Sequence, residues 1–170
     1  MKIRFAILTI SDRGSKGETV DTSGPALEKL VMENEWVVLK KSIVPDDFAE
    51  IRNKLIEWSE SDEIDVILTT GGTGFGIRDI TPEATKSILE REAPGIAEAM
   101  RAQSLKITHH AMLSRAASGI RKNTLIVNLP GSEKAATENF NVILPIFGHA
   151  VQLLRNEPNS EQYHRSGDKK

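Results

Sequence analysis

The chain of 170 residues contains no cysteine. That absence excludes disulfides, thiolate metal sites and a cysteine nucleophile together. Nor does either charge dominate: 22 Lys and Arg stand against 24 Asp and Glu, a formal net charge of −2. So neutral a protein has no general attraction to nucleic acid or to an anionic membrane surface, and an anionic ligand must find its positive contacts locally. No apolar run approaches the roughly 20 residues that span a bilayer. The first apolar stretch, ending near Ile10, is too short for the hydrophobic region of a signal sequence. The expected compartment is the cytoplasm. The four histidines, at 109, 110, 149 and 164, show no ligand spacing supported by a carboxylate or thiol pattern, and His149 reads as a packing residue. No serine occupies a nucleophile elbow, so an acyl-transfer triad is not expected.

What is present fits one globular domain over residues 1–156, followed by a polar tail at 157–170; hydrophobic residues make up 39% and charged residues 27%. Apolar strands are predicted at residues 3–10, 36–43 and 65–70, with helices between them. One helix carries Leu27, Leu30 and Val31 on a face behind Pro25, and another carries Phe48, Ile51, Leu55 and Trp58. Strands alternating with helices imply right-handed crossovers, hence a three-layer α/β fold: a mostly parallel sheet with helices on both faces. Asp47 and Glu50 have capping-box spacing, and Thr81-Pro82-Glu83 reads as a helix start capped by Thr81. That helix is expected to run towards Glu92 and to break at Pro94-Gly95. Residues 115–119 and 125–129 are expected as a small β-hairpin joined through residues 120–123. A last helix, capped by Ser132, should continue to Leu154, bent or divided at Pro145.

The most informative stretch is Thr69-Thr70-Gly71-Gly72-Thr73-Gly74-Phe75-Gly76, directly after the third strand. Ligands of open α/β sheets bind beyond the carboxyl ends of the strands. Glycines there let backbone N–H groups approach an anion, and threonine hydroxyls add donors. The loop has neither the Gly-Lys-Ser/Thr ending of a Walker loop nor the spacing of a dinucleotide fingerprint, so a flexible turn is the competing reading. Asp79 lies two residues before Thr81, and capping does not require its carboxylate. An acid beside a phosphate loop repels its ligand unless a cation lies between, and one or two carboxylates with substrate phosphates describe a magnesium site. Arg78 could contact phosphate. Asp46, beyond the second strand, is left free because Asp47 has the better cap spacing. Ser11-Asp12-Arg13 and Pro130-Gly131-Ser132 should reach the same edge, either as anion contacts or as ordinary turns.

Together, Ile10-Ser11-Asp12-Arg13, Pro45-Asp46, the stretch from Thr69 to Gly74, Arg78-Asp79-Ile80-Thr81-Pro82-Glu83-Ala84 and Leu129-Pro130-Gly131 resemble the molybdopterin-binding family. Its members include the bacterial Mog proteins, a plant G domain and the N-terminal domain of gephyrin. The resemblance implies transfer of AMP from ATP to the terminal phosphate of molybdopterin, with release of pyrophosphate. It further implies a divalent cation such as Mg2+, a homotrimer and a transient contact with the molybdate-insertion enzyme. The two aspartates such enzymes need match Asp46 and Asp79, as catalytic residues and metal ligands. Ser11, Asp12, Arg13, Thr70, Gly71, Gly72, Thr73, Gly74, Arg78, Thr81, Pro130, Gly131 and Ser132 are then expected to bind ATP or molybdopterin. A non-catalytic carrier of the pterin, the molybdate-insertion step and a scaffold are the competing functions.

Overall fold

The computed structural model describes residues 1–156. The expected tail and His164 lie outside the described residues. In chain order the elements are β1 (Arg4–Ile10), the single helical turn α1 (Asp12–Ser15), α2 (Ser23–Glu33), β2 (Val37–Val44), α3 (Phe48–Ser59), β3 (Val66–Thr70) and α4 (Thr81–Lys86). Then follow β4 (Arg91–Glu92), α5 (Pro94–Leu105), β5 (Ser118–Arg121), β6 (Thr124–Leu129), α6 (Glu133–Ile143) and α7 (Phe147–Leu154). The strands form one sheet in the order β2-β1-β3-β6-β5-β4. The first four are parallel, while β5 runs antiparallel to both β6 and β4.

The sheet is covered on both faces, and the two-residue period of its strands decides which side chain meets which layer. Phe5 and Ile7 of β1, Val66 and Leu68 of β3, and Leu125, Val127 and Leu129 of β6 pack with α2, α5, α6 and α7. Ala6, Leu8, Ile10, Ile67 and Ile126 point the other way, against Ile51, Leu55 and Trp58 of α3 and Ala84 of α4. The run in β1 reads as continuously apolar because both of its faces are buried. Trp36 stacks on Phe5 at 5.4 Å, and Phe147 meets both rings edge-on.

Several expected boundaries change. The helix at Thr81 ends at Lys86 and does not reach Glu92. Arg91 and Glu92 instead pair with Ile120 and Gly119, and the Glu90 amide donates to the Ile120 carbonyl at 2.9 Å. A tertiary partner outweighs helix propensity here. Gly119 permits the pairing, since a Cβ there would lie 2.5 Å from the Arg91 carbonyl oxygen. Pro94 starts α5 and does not break a helix, a position where its missing N–H costs nothing. Thr81 is not a cap: it is the first residue of α4, and its hydroxyl donates to the Gly71 carbonyl at 2.9 Å. The hairpin exists, shifted towards a tighter turn: Arg121 pairs with Thr124, and Lys122 takes a φ of 52°. Pro145 falls in a 3-10 turn, Leu144–Ile146, that divides α6 from α7. Asp47 and Ser132 do cap α3 and α6.

Candidate active site

The parallel strands β1, β2, β3 and β6 all release their chain at the same edge, bringing four loops from distant parts of the sequence together. Thr70 Oγ1 donates to the Pro130 carbonyl at 2.7 Å, and the Gly71 amide to the Leu129 carbonyl at 3.2 Å, tying the ends of β3 and β6. A Cβ on Gly131 would lie 3.2 Å from the Gly71 Cα. Gly71 and Gly72 have φ of 106° and 64°. Glycine adopts this left-handed backbone without strain. Side chains are excluded on packing grounds as well: a Cβ would lie 2.2 Å from the Ile10 carbonyl oxygen at Gly71, and 2.3 Å from Thr81 Oγ1 at Gly72.

Asp46 comes to the same place from β2. With Asp47 capping α3, its carboxylate accepts from the Asp12 amide at 2.9 Å, and Asp12 Oδ1 accepts from the Asp46 amide at 3.1 Å. This reciprocal pair joins the β1 and β2 loops. Arg78 reaches across and grips Asp12 with both arms, Nε to Oδ2 at 3.0 Å and Nη2 to Oδ1 at 2.9 Å. Partial burial, joined by the charges of Asp12 and Asp79, pushes the Asp46 carboxyl above its usual range, even though the Asp12 amide opposes the rise. Asp12 moves down, chiefly through its hydrogen bonds from Arg78. Asp79 Oδ2 accepts from the Gly76 amide at 2.9 Å, folding its carboxylate back onto the glycine loop.

Two adjoining cavities result. A polar one of about 330 Å³ is lined by Ser11, Asp46, Thr70, Gly71, Gly72, Asp79 and Gly131, together with Thr9 and Asp21. A more apolar one of about 270 Å³ contains Thr73, Gly74 and Pro130 with side chains of α5 and the 3-10 turn at His109–Leu113. Of the expected binding residues, Ser11, Thr70, Gly71, Gly72 and Gly131 line the polar hollow and Thr73, Gly74 and Pro130 the apolar one. Asp12, Arg78 and Thr81 line neither: Asp12 and Arg78 pair with each other, and Thr81 is fully buried. Arg13 is exposed and lines neither cavity, and Ser132 is exposed with its hydroxyl spent on the Ala135 amide. Asp21 was not among the expected site residues. It accepts from Thr9 Oγ1 at 2.7 Å and from the Gly24 amide at 3.0 Å, fixing the start of α2 at the cavity wall. Its place three residues before Gly24, just ahead of Pro25, is the local signal that could have marked it.

A family model described as "Probable molybdopterin binding domain" matches residues 6–149. The chain belongs to this family. Within the molybdopterin-binding family it is 40% identical to the molybdopterin adenylyltransferase of Helicobacter pylori, over 89% of this chain and 88% of that one. The Drosophila melanogaster molybdenum cofactor synthesis protein cinnamon is 48% identical over 89% of this chain, which spans only 26% of cinnamon's length. Among solved structures, the molybdopterin biosynthesis enzyme MoaB of Thermus thermophilus superposes with a TM-score of 0.86 at 44% identity, covering 92% of this chain and 98% of that one. The three-layer arrangement read from the sequence is therefore that of molybdopterin-binding relatives.

Proposed function

We propose that the chain is a molybdopterin adenylyltransferase acting in molybdenum cofactor biosynthesis, transferring AMP from ATP to the terminal phosphate of molybdopterin and releasing pyrophosphate. The observation that carries this reading is the convergence of Asp46 and Asp79 on the Gly71–Gly72 turn at the carboxyl edge of the sheet. It occurs in a chain 40% identical to an adenylyltransferase across 88% of that enzyme's length.

The chemistry needs no protein nucleophile, because the attacking group is already a phosphate oxygen. The difficulty lies in bringing two polyanions into line and neutralising their charge. The Gly72 backbone reaches the cavity without a side chain in the way, and Ser11, whose oxygen accepts from the Gly14 amide, keeps its O–H to donate at the cavity wall. Arg78, paired with Asp12, adds a positive charge that acts on Asp46. The donor set suits a hard divalent cation. Asp46 Oδ1 and Asp79 Oδ1 accept no hydrogen bond among the described residues, and burial, joined by the neighbouring acids, raises the Asp46 carboxyl. Among the described residues no three His, Cys, Asp or Glu side chains stand ready for a metal, so an ion held by Asp46 and Asp79 would need phosphates and water as its other ligands, the habit of Mg2+. When bound, Mg2+ supplies charge neutralisation between the two sets of phosphates. Asp46 and Asp79 would hold it; the glycine turn orients the phosphates.

The family resemblance supports a trimer and a cytoplasmic enzyme that hands its product to a molybdate-insertion partner. The test of the central reading is direct: ATP, Mg2+ and purified molybdopterin are incubated anaerobically with the chain, and adenylylated pterin and pyrophosphate are measured. Tight pterin binding without ATP consumption would make the chain a carrier instead.

A further inference from the structure

The loop that carries Asp79 is held unevenly. Its first residues are tied to the fold: Gly71 and Gly72 give their carbonyls to the Thr81 hydroxyl and amide at 2.9 and 3.1 Å. Residues 74–79 bond to each other, Gly76 to Asp79 Oδ2 and the Asp79 amide to the Gly76 carbonyl. They also leave Phe75 and Ile77 exposed. Among the described residues, the hydrogen bonds joining residues 74–79 to the rest of the fold come from Arg78 and Arg115. Arg78 is itself part of the loop, is exposed, and reaches the half-buried Asp12.

Arg115 lies outside the loop and is less exposed than Arg78. It precedes β5, its backbone amide donates to the Thr73 carbonyl at 2.8 Å, and its guanidinium spans the loop. Nε donates to the Gly74 carbonyl at 2.7 Å and Nη2 to the Asp79 carbonyl at 2.8 Å, while Nη1 pairs with Glu83 of α4. The side chain is about one-third exposed, so these bonds are shielded in part. A planar guanidinium presents its donors in a rigid fork, and two carbonyls bound to one fork must keep a set separation. The backbone of Asp79 is one of those two points.

We propose that Arg115 is a positioning residue for catalysis: its guanidinium, oriented by Glu83, fixes the Gly74 and Asp79 carbonyls and through them the direction of the Asp79 carboxylate. The inference rests on the adenylyltransferase reading for its kinetic arm only. Arg115 acts through Asp79 and touches no reacting group.

The first test needs no substrate. Amide hydrogen exchange is compared between the parent chain and Arg115→Met. Residues 74–79 are expected to exchange about tenfold faster, the shift in local opening that follows loss of one or two hydrogen bonds, while β3 and α3 are unchanged. Unaltered loop exchange, or acceleration spread through β3 and α3, would overturn the proposal. The second test is kinetic. Arg115→Met is expected to lower kcat on the order of a hundredfold, as misplacement of a reacting group does, with KM for ATP little changed. Arg115→Lys should not rescue it, because an ammonium cannot keep both carbonyls and Glu83. In an Asp79→Asn background the same substitution should cost less than about threefold more, since residues acting as a unit are not additive. Full multiplication of the two losses would overturn the assignment through Asp79. A parent chain that transfers no AMP would overturn the adenylyltransferase reading instead, and hydrogen exchange would still decide the anchoring.

Discussion

Asp46 and Asp79 differ in what surrounds them, and their neutral variants should differ accordingly. Asp79 caps nothing; among the described residues its carboxylate accepts one hydrogen bond, from the Gly76 amide. Asp79→Asn is expected to lower AMP transfer on the order of a hundredfold or more. Its melting temperature should be near the parent's, and molybdopterin binding should survive because an acid has been removed from an anion site. Near-parental transfer in a rate assay would exclude the cation-bridging role. Asp46→Asn should lose a similar share of activity, together with some stability, because its carboxylate accepts the Asp12 amide that joins two loops. By contrast Asp47→Ala removes a cap that accepts from the Ala49 and Glu50 amides. It should cost about 1 kcal/mol in denaturant titration with transfer intact. The sequence distinguished these neighbours: capping-box spacing assigned Asp47 to the helix and left Asp46 over. It carried no sign that Asp46 would be paired with Asp12, because that contact needs β1 and β2 to lie side by side.

At the scale of elements, the parallel core is the readable part. Alternation within β1, β3 and β6 divides their side chains between two helical layers, so truncating either set should be felt. Leu68→Ala is expected to cost about 2–5 kcal/mol, measured by chemical unfolding, because Leu68 is fully buried between β3 and the helices on its face. The start of β3 shows what was not readable. Asp65 is buried, yet it accepts from Arg4 of β1 and from Arg155 beyond α7. Burial alone would raise its carboxyl, but the hydrogen bonds from the two arginines outweigh that and hold it below the usual range. A depressed acid stabilises the fold fully above its unfolded value, about 4, and that contribution is lost as pH falls through the lower folded value. Thermal unfolding followed from pH 6 to pH 3 should therefore show a falling melting temperature at the acid end. Asp65→Asn should flatten that limb and lower the melting temperature at neutral pH. An unchanged acid limb would assign the loss to other carboxylates.

On the scale of the whole molecule, the family resemblance leads to an expected trimer. Light scattering at micromolar concentration checks it, and a monomer mass would count against it. The features that sequence alone determined are those in which a residue's role is set by its near neighbours: strand and helix periodicity, the Asp47 and Ser132 caps, glycine where the backbone turns left-handed, and the division of the last helix at Pro145. Because parallel strands deliver their loops to one edge, even the meeting of the β1, β2, β3 and β6 loops was implied by the order of elements. Tertiary structure decided what depends on partners far along the chain. It pulled residues 91–92 out of a helix to pair with β5, turned the Thr81 hydroxyl from a cap into a donor to Gly71, and divided eight of the expected binding residues between a polar and an apolar hollow. It also brought Arg115 across to the Asp79 loop. Local pattern encodes propensity and face; a hydrogen bond between residues dozens of positions apart exists only once packing has brought its donor and acceptor within reach.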